Sequence, residues 1–377
     1  MKKKLGLYIH IPFCRSKCLY CDFCSFPRAA AETVARYAAA LREDLLRRAE
    51  QCRDYTVDTV YFGGGTPTML PARELISILD TAAGAYHFTV DAEITAECNP
   101  ATGGFDYFTD MRRSGFNRLS MGLQSTHEGE LRALGRIHGF DDFEKTFSQA
   151  RSAGFENISA DLMSGIPEQT VQSYLASIHR LARLSPEHIS AYGLSVEDET
   201  SFGKMGDRLI LPDEDATREM YFLGIDALAS HGYQQYEISN FAREGYESRH
   251  NLKYWSCEEY LGFGPAAYSD FGGDRFGNSR ELSLYIEGKE IEAEREHPTR
   301  PQRMNEYVML GMRLTDGVDA DKFEERFGES FEKTFGSRLS AYERQGLTKR
   351  TDNGWCFTKE GFYVSNAILS EILDFSE

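Results

Sequence analysis

The chain has 377 residues, of which 41% are apolar, and its formal net charge is −17 at pH 7. That charge disfavours a general nucleic-acid binder, which needs a basic surface to neutralise phosphates, so we expect no nucleic acid among its partners. No run approaches the ~20 apolar residues of a membrane span, and the amino-terminal residues lack the pattern of a secretory signal peptide. We therefore expect a cytoplasmic protein with reduced thiols, and we leave peripheral attachment to a membrane open.

Short apolar or β-branched runs alternate with longer amphipathic runs through the first 200 residues. The predicted strands are 5–11, 57–63, 92–98, 117–123, 157–163 and 188–194, and predicted helices lie between them at 29–51, 72–86 and 142–154. Strands that alternate with helices form right-handed βαβ units around a parallel sheet. The pattern predicts an α/β fold, either an open doubly wound sheet or a partial barrel.

The remainder of the chain has a different pattern. A helix is predicted at 213–231, and a strand followed by a loop at 232–242. From about residue 300, three helices precede a hairpin with an Asp-Asn-Gly turn and a closing helix at 359–374, an order that resembles a small winged-helix domain. We predict three segments: a core over 1–235, a linking segment over 236–299, and a smaller, mostly helical, winged-helix-like domain over 300–377.

Four of the eight cysteines lie in the stretch FCRSKCLYCDFCSF, residues 13–26. The spacing of Cys14, Cys18 and Cys21 lets one loop direct three thiolates at one centre. A zinc site needs four ligands and would require Cys24, because no second pair of cysteines follows. A thioredoxin-like redox pair would use only Cys18 and Cys21. Three thiolates on a 4Fe–4S cluster would leave one iron open for a substrate, and the spacing favours this cluster over the other two sites.

Several predicted strands end in residues suited to a ligand, and ligands of parallel α/β folds collect at the carboxyl ends of the strands. The second strand ends in GGGTPT (63–68), which lacks the lysine of a phosphate-binding loop but permits close approach of a ligand to the backbone. Glu97 and Asp161 would supply charge. Gln124 would supply neutral hydrogen bonds, and Arg136 would pair with a ligand carboxylate. We predict that these residues share one site with the cysteines.

The order of these motifs resembles the radical S-adenosylmethionine (SAM) superfamily, and within it the coproporphyrinogen dehydrogenase group. The motifs are CxxxCxxC after YIHIPFC, then GGGTPT, ECNP, GLQS, GRIH and DLMSGIP, and they run in order from Tyr8 to about Val196. The resemblance implies a partial (β/α)6, TIM-like radical SAM barrel over 1–235, a 4Fe–4S cluster on the three cysteines, and SAM on the open iron. It also implies the residues that contact SAM, namely Tyr8, Tyr20, Gly64, Gly65, Thr66, Glu97, Gln124, Arg136 and Asp161. Cys24 lies one residue beyond the fourth cysteine of the dehydrogenases.

The stretch RHNLKYW, residues 249–255, is similar to the His-Asn-x-x-Tyr-Trp signature of the HemW-type heme chaperones, a branch of the same family. His250 would be an axial ligand of heme iron, and Tyr254 and Trp255 would offer flat faces to a porphyrin. Tyr268 stands where chaperone relatives often have a histidine, so a second ligand is missing.

Three functions follow from the resemblance. The first is a heme chaperone that binds heme, a 4Fe–4S cluster and SAM and delivers the heme to acceptor proteins. The second is an oxygen-independent coproporphyrinogen III dehydrogenase, and the third is a radical SAM enzyme with an unrelated substrate. The His250 stretch favours the chaperone without dehydrogenase activity, so whether the chain is an enzyme stays open. The implied partners are heme or porphyrin, heme-accepting proteins and an electron donor such as a flavodoxin.

Overall fold

The computed structural model describes residues 2–289 and 291–373. Its main sheet has six central parallel strands: β1 (Lys3–Ile11), β2 (Tyr55–Gly64), β3 (Phe88–Cys98), β4 (Arg118–Gln124), β5 (Ile158–Ser164) and β6 (His188–Gly193). The crossovers contain α1 (Ala31–Arg48), α2 (Ala72–Ala85), α3 (Phe105–Arg113), α4 (Glu128–Ala133), α5 (Phe140–Ser152) and α6 (Val171–Ala182). Each strand pairs in parallel with the next in chain order. A doubly wound sheet would reverse its strand order, so the partial barrel is confirmed.

The two faces of the strands differ in character, as the alternation of side chains in a strand requires. Leu5, Leu7 and Ile9 of β1 are fully buried and belong to the same apolar core as Tyr37 and Leu41 of α1. The alternate residues of the strands face the barrel interior and are mostly polar or aromatic. The helices therefore cover the outer face, and the inner face remains for function.

Residues from 234 onward, most of them in the predicted linking segment, extend the sheet at both edges to twelve strands. After α7 (Glu214–Ser230), β7 (Gln234–Gln235) and β8 (Asn240–Ala242) add to the β6 edge, and β8 is antiparallel to β6. After α8 (Arg249–Trp255), β9 (Tyr260–Phe263) pairs in parallel with β1. The outer edge is built from β10 (Tyr268–Phe271), β11 (Asp274–Asn278), α9 (Leu282–Glu287) and β12 (Glu292–Glu296). The strand predicted within 232–242 corresponds to β7 and β8. The strands β9 to β12 were not predicted, because they are short and β9 pairs with the distant β1.

The carboxyl-terminal region has a second apolar core, which includes Phe323 and Trp355. Its elements are α10 (Arg300–Gly311), β13 (Val318–Asp319), α11 (Ala320–Phe327), α12 (Ser337–Glu343), β14 (Thr348–Arg350), β15 (Gly354–Phe357), α13 (Lys359–Tyr363) and α14 (Ser365–Ile372). The predicted hairpin is β14–β15. The predicted closing helix divides at Val364, where φ is −105° and ψ is 17°, and its predicted end at 374 lies outside the described residues.

Short helical segments within the described residues lie at Ala49–Cys52, Pro67–Met69, Gly203–Arg208 and Glu332–Gly336. Across 2–289 and 291–373, no helix combines the length and the apolar character needed to cross a membrane.

Candidate functional site

The loop that carries the clustered cysteines leaves the carboxyl end of β1 and closes on itself. Its base is formed by two short strands, Phe13–Cys14 and Phe26–Pro27, that pair in parallel. The N–H of Leu19 donates to the carbonyl of Leu134 at 3.0 Å and ties the loop to the end of α4. As the spacing predicts, three half-buried thiols line one cavity of about 140 Å³; they belong to Cys14, Cys18 and Cys21.

Cys24 faces away from this cavity. Its Sγ lies 3.6 Å from the carbonyl of Arg280, and its own carbonyl lies 2.8 Å from Nε2 of His10. Within the described part of the chain, no group of three or more His, Cys, Asp or Glu side chains could hold a single metal ion. This arrangement disfavours a four-thiolate zinc site, whereas a cluster distributes its thiolates over several irons.

Tyr8 supports the base of the cysteine loop and does not line the cavity. Its hydroxyl lies 3.0 Å from Nδ1 of His10. Burial lowers the pKa of His10 to about 4, so the ring is neutral at pH 7. Because Nε2 faces the carbonyl of Cys24, it carries the ring proton, and Nδ1 accepts from Tyr8. The structure therefore gives the Tyr8 hydroxyl a partner within the protein, and its contact with SAM stays a prediction.

The other predicted SAM residues all line the cavity with the cysteines: Tyr20, Gly64, Gly65, Thr66, Glu97, Gln124, Arg136 and Asp161. Two of them have buried polar atoms without a hydrogen-bond partner, Oε1 of Gln124 and Nε of Arg136. Gln124 also has a φ of +73°, which is unfavourable for a residue with a side chain. Unsatisfied polar atoms in a cavity wall fit a polar ligand such as SAM.

The glycines after β2 let the chain pack closely on β1 and the loop that follows it. Gly64 has a φ of +106°, and a Cβ there would lie 2.3 Å from the His10 ring. A Cβ on Gly65 would lie 2.8 Å from the backbone of Phe13, and the Gly65 N–H donates to the carbonyl of Ile11 at 2.9 Å. The sequence predicted close approach of a ligand to these glycines. In the structure, other parts of the protein approach these glycines closely, namely the His10 ring at Gly64 and the Phe13 backbone at Gly65.

Glu97 is held at the cavity wall by two donors. The Tyr61 hydroxyl donates to Oε1 at 3.0 Å, and the N–H of Gly64 donates to Oε2 at 3.0 Å. Burial and the nearby Asp161 together raise the pKa of Glu97 to about 7. Burial also raises the pKa of Asp161. A cationic ligand would favour the charged forms of both carboxyls.

Arg136 contacts the cysteine loop, although the sequence predicted a ligand carboxylate as its partner. One terminal nitrogen lies 3.6 Å from Sγ of Cys18 and 3.1 Å from Oδ1 of Asn99. Asn99 in turn donates to Oγ1 of Thr66 at 2.6 Å, and Thr66 lies 3.7 Å from Sγ of Cys14. Asn99 thus links Arg136, which contacts the Cys18 thiol, to Thr66, which contacts the Cys14 thiol. Sequence reasoning assigned it no role, although its place at the end of β3 in ECNP pointed to this rim.

The predicted heme residues lie away from the cysteine cavity. His250 is fully buried, with Nδ1 2.8 Å from Oγ1 of Thr59 and Nε2 2.8 Å from the hydroxyl of Tyr254. Burial, Lys253 and Arg118 lower the pKa of His250 to about 3, so the ring is neutral. Both ring nitrogens therefore have protein partners, and iron ligation would require Tyr254 to release Nε2.

Trp255 points to a different part of the molecule. It lines a groove of about 980 Å³ with Tyr307 of α10 and residues of the β14–β15 turn. Tyr268, the other residue noted in the sequence, is 48% exposed, and its hydroxyl donates to Glu294. The three predicted heme residues do not share one open face. His250 is buried against Thr59 and Tyr254, whereas Trp255 lines the groove beside α10.

Comparison with known proteins places the whole chain among its relatives. Residues 8–181 match the radical SAM superfamily, and residues 299–364 match the HemN C-terminal domain. The chain is 35% identical to the heme chaperone HemW of Bacillus subtilis (strain 168), over 97% of this chain and 98% of the relative. It is 33% identical to the heme chaperone HemW of Escherichia coli (strain K12), over 98% of each chain.

A solved structure has the same fold. The coproporphyrinogen III oxidase HemN of Escherichia coli, described as a radical SAM enzyme, superimposes with a TM-score of 0.87 over 100% of this chain and 91% of that chain. The sequences are 24% identical, so this likeness concerns the fold.

Proposed function

The chain belongs to the HemW family of radical SAM proteins, and on that premise we propose that it is a heme chaperone that binds heme, a 4Fe–4S cluster and SAM and delivers the heme to acceptor proteins. The observation that carries the proposal is the convergence of three thiols and eight SAM-type residues on one cavity, in a chain that matches proteins named heme chaperones over nearly its whole length. We propose that the chain acts in the cytoplasm, where its thiols stay reduced.

Cys14, Cys18 and Cys21 would hold the cluster. Burial raises the pKa of the Cys14 thiol, and the Thr66 hydroxyl and Arg136 act in the opposite direction. When bound, the cluster would supply one-electron chemistry to SAM, and an iron without a cysteine ligand would be open to that molecule. A one-electron donor such as a flavodoxin would therefore be a partner.

Glu97 and Asp161 would face the positive groups of SAM, and Gln124 would use its free Oε1 on the same ligand. Glu97 and Gln124 lie at the carboxyl ends of β3 and β4, and Asp161 lies in the middle of β5; the three strands are adjacent in the sheet. The rigid strands fix their separation, so SAM would be oriented by groups that need little rearrangement.

We propose that His250 ligates heme iron through Nε2 after Tyr254 has moved away. Tyr254 and Trp255 would then contact the porphyrin. Support for this ligand comes from the His-Asn-x-x-Tyr-Trp stretch, and its condition comes from the 2.8 Å contact between Nε2 and the Tyr254 hydroxyl.

Hemin titration of three proteins tests the chaperone proposal. We expect wild type to bind about one hemin per chain with a shifted Soret band. His250→Ala should lose the shift, and Tyr254→Phe should bind hemin more tightly because it frees Nε2. Hemin binding by His250→Ala at the wild-type affinity would assign the ligand to another residue. A wild-type protein that binds no hemin would contradict the chaperone function.

The match of residues 299–364 to the HemN C-terminal domain favours coproporphyrinogen III dehydrogenase as a second candidate. The two functions differ in whether coproporphyrinogen III is consumed. We expect no protoporphyrinogen IX when the cluster-loaded protein is supplied with SAM, reductant and coproporphyrinogen III without oxygen. Repeated turnover of that substrate would replace the chaperone with the dehydrogenase.

A further inference from the structure

His250 lies outside the cysteine cavity and is held in place by contacts with several elements of the fold. The N–H groups of Arg249 and His250 donate to the carboxylate of Glu93 on β3 at 3.1 and 3.0 Å. Gly6 of β1 leaves room for the ring, since a Cβ there would lie 3.3 Å from Cε1 of His250 and 3.1 Å from Oγ1 of Thr59. A neutral ring with both nitrogens hydrogen-bonded is suited to holding other groups in place.

Tyr61 packs against this ring. The centroids of Tyr61 and His250 are 5.2 Å apart and their planes differ by 26°. Tyr8, the partner of Tyr61 in the sheet, stacks with Tyr61 at 6.3 Å and 26°. Tyr61 follows Thr59 by two residues, so both side chains are on the inner face of β2. The Tyr61 ring is therefore fixed by α8 and by β1.

The hydroxyl of this fixed ring reaches Glu97 in the proposed SAM site. The distance from the hydroxyl to Oε1 of Glu97 is 3.0 Å. Gly63 keeps this corner narrow, because a Cβ there would lie 2.8 Å from Cε1 of Tyr61 and 3.0 Å from Oε1 of Glu97. A small movement of the Tyr61 ring would therefore remove its hydroxyl from Glu97.

We infer that His250 is a positioning residue of the SAM site, which holds Tyr61 so that the Tyr61 hydroxyl donates to Glu97. This role rests on the proposed SAM site and requires no contact between His250 and SAM or iron. His250 would therefore have a function while its Nε2 is still hydrogen-bonded to the Tyr254 hydroxyl.

The role predicts a change in the pH dependence of SAM binding. The titratable and charged groups that face Glu97 come from β1, β2, β4, β5, β6 and α8, and they are Tyr8, Tyr61, Arg118, Asp161, Tyr192 and Tyr254. The Tyr61 hydrogen bond favours the charged carboxylate. Its loss raises the pKa of Glu97, so the charged form that would bind SAM appears only at higher pH.

The test titrates SAM into the full chain with its cluster reconstituted, between pH 5.5 and 9, and follows the spectrum of the reduced cluster. His250→Ala should keep the iron content of wild type. We expect its SAM affinity at pH 7 to fall about tenfold, the effect of losing one hydrogen bond to a charged group, and its pH midpoint to rise. Tyr61→Phe should give the same result. Asn251→Ala, in the same turn of α8 but outside the ring stack, should match wild type.

The double variant His250→Ala/Tyr61→Phe should be no weaker than Tyr61→Phe, because both changes remove the same contact. Additive losses would overturn the positioning role, as would an unchanged pH midpoint in His250→Ala. If His250→Ala does not retain its cluster, Tyr254→Phe removes one hydrogen bond from the ring and should shift the midpoint in the same direction. No shift in Tyr254→Phe or Tyr61→Phe would then overturn it.

Glu97→Gln separates this inference from the proposed function. If Glu97→Gln leaves SAM affinity unchanged, the SAM site itself is misplaced. If Glu97→Gln weakens SAM binding and the His250 and Tyr61 variants do not, the SAM site stands and the positioning role fails.

Discussion

Glu97 is a carboxyl that changes charge near neutral pH. Two hydrogen bonds favour its charged form, but burial and Asp161 outweigh them and raise its pKa to about 7. A raised pKa of this kind is typical of a functional-site carboxyl that binds a cationic group. At the scale of single residues, the proposed SAM site therefore has a defined pH response.

We predict that SAM affinity falls as the pH is lowered from 8 to 6. Protonation of Glu97 through its pKa of about 7 removes the negative charge that would face the SAM cation. Isothermal titration of the cluster-loaded protein measures the affinity across this range. Glu237 provides a matched control, because burial raises its pKa to about 7 as well, but it does not line the cavity. Glu237→Gln should keep the pH dependence and Glu97→Gln should abolish it; the reverse result would contradict the assignment.

A second prediction concerns which of the four clustered cysteines hold the iron–sulfur cluster. Cys14→Ser, Cys18→Ser and Cys21→Ser each remove a thiolate from the cavity, so each of these variants should lose the cluster. Cys24→Ser should retain about four irons and four sulfides per chain, because Cys24 contacts Arg280 outside the cavity. Iron and sulfide analysis after anaerobic reconstitution measures the outcome. Stoichiometric zinc in place of iron would contradict the cluster.

Among the elements, the cysteine loop depends on the turn that follows β2. The turn brings Gly64 against His10, and His10 joins Tyr8 to the carbonyl of Cys24. The loop is thus held by contacts with neighbouring strands of the protein itself. The same strands present the thiols and the SAM-type residues at one edge, so the packing of β1 on β2 is a condition for the site.

We predict that Gly64→Ala destabilises the protein by about 1–3 kcal/mol, because the residue has a left-handed φ and its new Cβ would meet the His10 ring. Gly84→Ala is the control, since a Cβ there lies within 4 Å of none of the described residues and Gly84 lies within α2. That change should be neutral or stabilise the helix by up to about 1 kcal/mol. Urea unfolding measures both; equal effects of the two changes would contradict the packing argument.

In the whole molecule, α8 connects the barrel with the carboxyl-terminal domain. It contacts β2 on one side and α10 on the other. Arg326 of α11 donates to the carbonyls of Ser256 and Cys257, at 3.4 and 3.0 Å, just beyond the end of α8. A movement of α8 that releases His250 would therefore change contacts in both domains.

We predict that heme and SAM oppose each other's binding. Heme ligation by His250 would break the Tyr254 contact that helps hold the His250 ring against Tyr61, and SAM binding at Glu97 would favour the state in which Tyr61 is held. By linkage, saturating hemin should weaken SAM binding by the same factor by which SAM weakens hemin binding, about 5- to 150-fold. Paired titrations measure the two factors. Independent binding would show that His250 does not serve both ligands.

Features that depend on local spacing could be predicted from the order of the residues. Alternating strand and helix patterns gave the six parallel strands, and the interval of four and three residues placed Cys14, Cys18 and Cys21 in one loop. The motifs at the strand ends placed Glu97 and Asp161 beside them. Such features follow from the chain alone because period, turn residues and strand direction act over a few residues at a time.

The side-chain contacts, in contrast, depend on how elements that are distant in the chain pack together. Thr59 and His250 are 191 positions apart in the chain, yet they form a 2.8 Å contact. The β9 strand, which joins the sheet beside β1, is similarly remote from it. Contacts of this kind leave no periodic signal, because they are set by the packing of complete elements. Packing of this kind places Arg136 beside Cys18, and it holds the ring of His250, the proposed heme ligand, against Thr59 and Tyr61.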